Sequence, residues 1–248
     1  MSKIAFILAA GTGTRMLPLT KNSPKPLLKI NNKPMIRYVL DLLEFHKFNK
    51  IGINLSYRGE EIQNYLKNES ISFFYEKNPS GTAGGVLAIS KKIKPQKPFL
   101  VVSSDMMVNF DLTKIYQFHL KHKSVATICC YFRPKSKLNA KKSGQVLFDR
   151  KTKKITRVLE RSEQIISQWI NSSVYIFDPS VLSLLEEFRQ KVIDIPTDLI
   201  PNLLSSGKKV LAYPINSKRF YQLGVDTPLR ISQVENDIQS GKFIPTIP

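Results

Sequence analysis

Apolar residues along the first 132 positions fall into short blocks that switch between two periods. Residues 3–8, 51–55, 71–75, 99–103 and 125–132 are compact apolar runs of strand length. Between them, residues 34–48, 59–66, 83–90 and 112–122 carry the helical period. In the first of these, Met35, Val39, Leu42 and Leu43 share one face, and Pro34 is placed as a first-turn proline. The strand runs are continuous rather than alternating, as in Phe99, Leu100, Val101 and Val102. Such strands are buried on both faces, which is the mark of a parallel sheet covered by helices on either side.

The second half changes character. Residues 145–148, 155–159 and 169–177 read as strands with few helices between them, whereas 181–188, 199–204 and 230–239 read as helices. Residues 135–142 form a basic loop. No long linker, repeat or low-complexity tract interrupts the chain, so residues 1–248 are expected to form a single domain. The expected fold class is α/β: a Rossmann-like three-layer sandwich with a mixed, mostly parallel central sheet.

Composition narrows this picture. No apolar run approaches the ~20 residues needed to span a bilayer. Residues 4–10 are apolar, but Gly11, Gly13 and Arg15 break the run, so a buried first strand is expected rather than a signal segment. The expected setting is cytoplasmic. The two cysteines, Cys129 and Cys130, are adjacent; on a strand they point to opposite faces, so no internal disulfide is expected. The net charge of +19 has three readings: a lysine-rich solvated surface, a potential that gathers phosphorylated substrates, or nucleic-acid binding. Basic residues are spread along the whole chain, and no nucleic-acid-binding signature is present. Neither a nucleic-acid nor a membrane partner is therefore expected, while a homo-oligomer is left open. His119 and His122 have near metal-ligand spacing, but with Ile115 and Phe118 they align on one helix face and no third ligand is evident.

The chemistry concentrates between Leu8 and Pro34, where the first strand run ends. In open α/β sheets, ligands bind at the carboxyl ends of the strands. Gly11 and Gly13 free the backbone to curl and present N–H groups to phosphate oxygens. Arg15 is a fixed-charge fork, and Lys25 is a cation stiffened between Pro24 and Pro26. The dinucleotide fingerprint is excluded because Met16 stands where its third glycine would be, and the Walker loop because no Gly-Lys-Ser/Thr ending follows.

Gly11-Thr12-Gly13-Thr14-Arg15, Pro18-Leu19-Thr20, Pro24-Lys25-Pro26-Leu27 and Lys33-Pro34-Met35-Ile36 together resemble the signature of the sugar-1-phosphate nucleotidyltransferases, most closely the mannose-1-phosphate guanylyltransferase-like branch. The resemblance continues in order. Ser80-Gly81-Thr82-Ala83-Gly84 is similar to the family's base-facing Leu-Gly-Thr-Ala-Gly segment, with Ser80 for leucine. Val101 to Asp105 resembles the strand that ends in Gly-Asp, with Ser104 for glycine. Glu160-Arg161 is similar to a Glu-Lys pair, and Asn171-Ser172-Ser173 to an Asn-Ala-Gly segment near the sugar.

The resemblance implies that residues 1–132 bind nucleotide and residues 133–248 bind the acceptor. It assigns Leu8, Ala9, Ala10, Gly11, Thr12, Gly13, Thr14, Arg15, Lys25, Gly81 and Thr82 to the nucleotide, and Glu160, Arg161 and Asn171 to the acceptor. Arg15, Lys25 and Asp105 are the implied catalytic groups, with Asp105 on a Mg²⁺ ion. The family carries a second acidic residue where this chain has Gln222, so the second metal ligand is left open between Gln222 and Asp226. The implied reaction joins a nucleoside triphosphate to a sugar 1-phosphate and releases pyrophosphate, within the synthesis of polysaccharide or glycoconjugate. Uridylyl transfer, cytidylyl transfer to phosphocholine, and a catalytically weak nucleotide-binding regulatory subunit are the alternatives; the last is motivated by Gln222 and Ser104.

Overall fold

The computed structural model describes residues 2–188 and 191–246. Strand–helix units build the first half. β1 (Lys3–Leu8) leads through a long loop to a two-residue hairpin, β2 (Lys29–Ile30) and β3 (Lys33–Pro34), and then α1 (Met35–Phe45). β4 (Phe48–Leu55), α2 (Gly59–Tyr65), β5 (Ile71–Tyr75), α3 (Gly81–Ile93), β6 (Phe99–Ser103), β7 (Met106–Val108), α4 (Leu112–His122) and β8 (Ala126–Phe132) follow. The second half adds β9 (Gln145–Phe148), β10 (Ile155–Leu159), β11 (Trp169–Phe177), α5 (Val181–Glu187), α6 (Ile200–Ser205), β12 (Val210–Ile215), β13 (Gln222–Gly224) and α7 (Pro228–Gln239).

Among the described residues, one sheet of nine strands runs β10-β9-β11-β6-β1-β4-β5, with β8 on β11 and β12 on β8. β1 pairs in parallel with β4 and β6, β4 with β5, and β12 with β8. β11 is antiparallel to both β6 and β8. The expected α/β architecture with a mixed, mostly parallel sheet is what the chain adopts. Both faces of the sheet are buried, which explains the unbroken apolar runs. Phe6 enters one core cluster, while its neighbours Ala5 and Ile7 enter the other. Cys129 and Cys130 likewise divide between the two faces, are buried, and are unpaired. His119, read with His122 as a partly buried or surface pair, is almost fully buried at 1% exposure; its ring meets the hydroxyls of Thr127 and Ser124.

Several boundaries differ from the pattern reading. The first helix ends at Phe45 rather than at residue 48, because Lys47 takes a left-handed backbone and Phe48 opens β4, fully buried edge-on against Tyr116. Pro34 pairs with Lys29 in the small hairpin and precedes the helix instead of occupying its first turn. β12 was not expected; its partner β8 lies more than eighty positions earlier in the chain. β7 and β13 are three residues each, too short for any periodicity, and they pair only with one another. The basic loop contains two single turns, Lys135–Lys137 and Ala140–Lys142. A third apolar cluster, with Met16, Ile30, Met35, Met107, Leu223 and Val234, joins the long loop, the hairpin, β7, β13 and α7.

Candidate active site

The carboxyl ends of β1, β6, β4 and β5 lie along one sheet edge, and a cleft of about 410 Å³ follows it. That volume suits a nucleotide-sized ligand. Its wall includes Leu8 to Met16, Lys25, Pro26, Asn54, Glu76, Pro79, Gly81, Thr82, Ser103 to Asp105, Asp194 and Asp226.

The loop after β1 folds back on itself. Gly13 has φ +67°, and a Cβ there would lie 3.0 Å from both Lys25 Cβ and Thr20 Cγ2. Only glycine takes that backbone while admitting Lys25 so closely. Thr20 Oγ1 donates to the Gly13 carbonyl at 3.0 Å, and Met16 is wholly buried in the third apolar cluster. The glycine turn and the Lys25 turn are thereby fixed relative to one another. Lys25 Nζ reaches the Asp105 carboxylate, with both side chains largely covered.

Asp105 lies just after β6, where Ser104 N–H donates to the Leu8 carbonyl at 3.0 Å. The Asp105 carbonyl accepts from Val225 N–H at 3.0 Å, continuing the pairing of Met106 with Gly224. This short ladder brings Asp226 to the same cleft wall as Asp105. Asp226 Oδ2 accepts from Arg15 Nη1 at 2.6 Å. The two cations of the loop thus meet two carboxylates that lie far apart in the chain.

Gln222 stands elsewhere. It is 8% exposed, lies off the cleft wall, and its Oε1 accepts from Arg133 Nη2 at 3.2 Å. Burial, reinforced by the charge of Arg230, lowers the Arg133 guanidinium below its usual pKa. Of the two residues considered for the second metal position, Asp226 is the one on the cleft wall.

At the β5 end, Gly81 has φ +81°, and any Cβ there would run into the Ile193 carbonyl. That carbonyl accepts from Ala83 N–H at 3.0 Å, while Ile193 N–H donates to Ser80 O at 2.9 Å. Asp194 Oδ1 accepts from both the N–H and the hydroxyl of Thr82, each at 2.8 Å. Thr82 Oγ1 in turn accepts from Ile195 N–H at 2.8 Å. Glu76 accepts from Asn54 Nδ2 at 2.6 Å, from Ser80 N–H at 3.0 Å, and from the Ser80 hydroxyl. Asn54 Oδ1 accepts from Ala9 N–H at 2.8 Å, tying this end to the glycine loop.

Glu160, Arg161 and Asn171 lie outside the cleft wall. Burial raises the Glu160 pKa, against a hydrogen bond from Asn171 and the charge of Arg161; the charge of Asp194 adds to the rise. Asn171 Nδ2 also donates to the Tyr175 hydroxyl at 2.7 Å. Arg161 is exposed and takes a left-handed backbone. All eleven residues read as nucleotide-binding are on the cleft wall, as is Asp105. Asn54, Glu76 and Asp194 were not anticipated. Glu76 stands only five positions before Gly81, a local signal that could have been used; Asp194 has none, being an isolated acid more than a hundred residues away.

Comparison with known proteins places this geometry in context. A family model described as "Nucleotidyl transferase" matches residues 4–224. The chain is 32% identical over 223 residues to a UTP–glucose-1-phosphate uridylyltransferase of Synechocystis sp., covering 82% of this chain and 55% of that protein. It is 36% identical over 191 residues to a mannose-1-phosphate guanylyltransferase catalytic subunit beta of Drosophila melanogaster, covering 73% and 50%. The chain therefore spans about half the length of these curated relatives. In fold it is similar to HddC from Yersinia pseudotuberculosis in complex with GMP-PN, at TM-score 0.78 and 21% identity, covering 95% of this chain and 99% of that one. The glycine loop, the cleft it builds and the match over nearly the whole length lead to one conclusion: the chain belongs to the nucleotidyl transferase family.

Proposed function

We propose that this chain transfers a nucleotidyl group from a nucleoside triphosphate to a sugar 1-phosphate, releasing pyrophosphate. The observation that carries this reading is the pairing in one cleft of Lys25 with Asp105 and of Arg15 with Asp226. Relatives named for uridylyl and guanylyl transfer to sugar 1-phosphates support it.

The attacking group is a phosphate oxygen of the acceptor. A phosphate monoester's second pKa is ~6, so the nucleophile is anionic near neutral pH and no general base is needed. The barrier lies in bringing two anions together and aligning them in line. Arg15 and Lys25 neutralise the triphosphate and the charge that develops on the α-phosphoryl oxygens and the leaving pyrophosphate. Backbone N–H groups of residues 11–14 hold phosphate oxygens, and Gly81 and Thr82 support the base. Glu160, Arg161 and Asn171 hold the acceptor.

Asp105 and Asp226 fit a Mg²⁺ ion. Both are hard oxygen donors on the same wall, and magnesium is commonly held by one or two carboxylates plus substrate phosphates. Among the described residues no group of three His, Cys, Asp or Glu is assembled for a metal, so the remaining ligands fall to phosphate and water. When bound, the ion would act as a Lewis acid toward the phosphates and draw off their negative charge. Asp226 on the wall favours a working transferase over a regulatory nucleotide binder, since the neutral Gln222 is not the partner of Asp105.

A pyrophosphate-release screen of four triphosphates against sugar 1-phosphates and phosphocholine tests the reading. Release with a sugar 1-phosphate is expected. Release only with phosphocholine would move the chain to cytidylyl transfer, and tight nucleotide binding without release from any pair would favour the regulatory role.

A further inference from the structure

The cleft is electrically divided along the sheet edge. Its side-chain cations, Arg15 and Lys25, stand beside Asp105 and Asp226 near the ends of β1 and β6. The wall beyond β4 and β5, formed by Asn54, Glu76, Pro79, Gly81, Thr82 and Asp194, carries no cation among the described residues. A triphosphate seated on the cations therefore extends its nucleoside toward the second wall.

That wall offers few free hydrogen-bonding atoms. Both Glu76 oxygens are engaged by Asn54 and Ser80, and Thr82 Oγ1 both donates and accepts. Asp194 differs. Its Oδ1 takes both Thr82 donors, and among the described residues no donor reaches its Oδ2. Thr82 fixes the carboxylate plane, and the Asp194 N–H donates to Asp198 Oδ2 at 2.8 Å, fixing the backbone. The result is a preorganised, negatively charged acceptor on the cleft wall.

We infer that Asp194 is the base-discriminating residue of the cleft, and that its free Oδ2 selects guanine by accepting from the N1–H and N2–H₂ edge. This rests on the transferase reading above. Guanine presents adjacent donors on that edge. Uracil and thymine present one N–H between two carbonyl oxygens, which a carboxylate repels. Adenine and cytosine set one amino group beside an acceptor nitrogen. A hydrogen bond to a charged acceptor is strong, and a mismatched base leaves that acceptor without its partner.

Calorimetric titration of the wild-type chain and of Asp194→Asn with GTP, ITP, UTP and 2′-deoxy-GTP tests this. Asparagine keeps an oxygen for Thr82 and replaces the free acceptor by a donor. ITP lacks only the N2 amino group. Wild type is expected to bind GTP about tenfold or more tighter than ITP and UTP, the size of one charged hydrogen bond. In Asp194→Asn the gap between GTP and ITP should close to within about threefold. An equal loss for all four ligands would make Asp194 structural and overturn the inference. A change confined to GTP against 2′-deoxy-GTP would assign the carboxylate to the ribose and overturn it too. The wild-type ratio of GTP to ITP is decisive without any variant: a ratio near one sinks the base assignment alone, whereas binding of no triphosphate sinks the transferase reading beneath it.

Discussion

The two ends of the cleft are built in opposite ways. The loop end gathers Gly11, Gly13, Arg15 and Lys25 from one stretch of about fifteen residues, closed by contacts within that stretch. The β5 end and the carboxylates that meet the loop come from far apart: Thr82 meets Asp194 across 112 positions, and Arg15 meets Asp226 across 211. The local end is dense in residue types that can serve little but a polyanion. The assembled end uses ordinary acids whose role is set by what stands beside them. A loop can carry its chemistry as a contiguous motif, because short chain closure needs little help from the rest of the fold. A pair separated by two hundred residues exists only once the sheet has formed.

The sharpest way to break this comparison is to remove the cation of the local end. Lys25→Ala is expected to lower turnover about 100-fold or more, as for loss of a preorganised charge donor. Near-normal turnover would detach Lys25 from the phosphates and dissolve the distinction between the two ends. Next in size is Gly81→Ala at the assembled end. The side chain would be forced into the Ile193 carbonyl from a left-handed backbone, at a cost on the order of 2 kcal/mol. Thermal or urea unfolding reads this directly, and unchanged stability would mean that the 80–84 and 193–195 segments are not locked together.

A smaller effect separates Asp226 from Gln222. Asp226→Asn should weaken magnesium binding about tenfold, followed as the magnesium concentration for half-maximal pyrophosphate release and by calorimetry with the ion. Gln222→Glu should leave that constant within about twofold. The reverse pattern would return the metal position to residue 222. The smallest effect belongs to neither end, and marks the scaffold off from the cleft. Burial lowers His119 from an ordinary 6.5 to about 4. The folded state therefore favours the neutral ring, and the unfolded chain binds the proton first as pH falls below 6.5. Stability present above that pH is lost progressively down to about 4. Between pH 7 and 5.5 the loss is about 1 kcal/mol. His119→Gln should flatten this slope in pH-dependent melting without altering the magnesium constant; an unchanged slope would place the acid sensitivity elsewhere.

Much of the fold was legible because burial imposes it residue by residue. Continuous apolar runs gave the parallel strands, and the 3.6-residue period gave the helices between them. The misplacements have physical causes. Helix α1 stops where Phe48 is worth more inside the sheet than on the helix. Strands β7 and β13 are three residues each and pair with one another, so they carry no period to read. In the site, Glu160, Arg161 and Asn171 could be picked out by their order, but order alone does not put them on the cleft wall.

The sequence by itself determined the layered α/β architecture and the glycine-proline loop from Gly11 to Lys25, because both depend on neighbours within a turn or a strand. Only the tertiary structure decided that Asp226 rather than Gln222 lies on the cleft wall with Asp105, and that among the described residues one oxygen of Asp194 takes both Thr82 donors while the other takes none. A carboxylate has the same formula wherever it occurs in the chain. Its function is fixed by which cation, donor or open space the folded sheet brings within reach of its two oxygens.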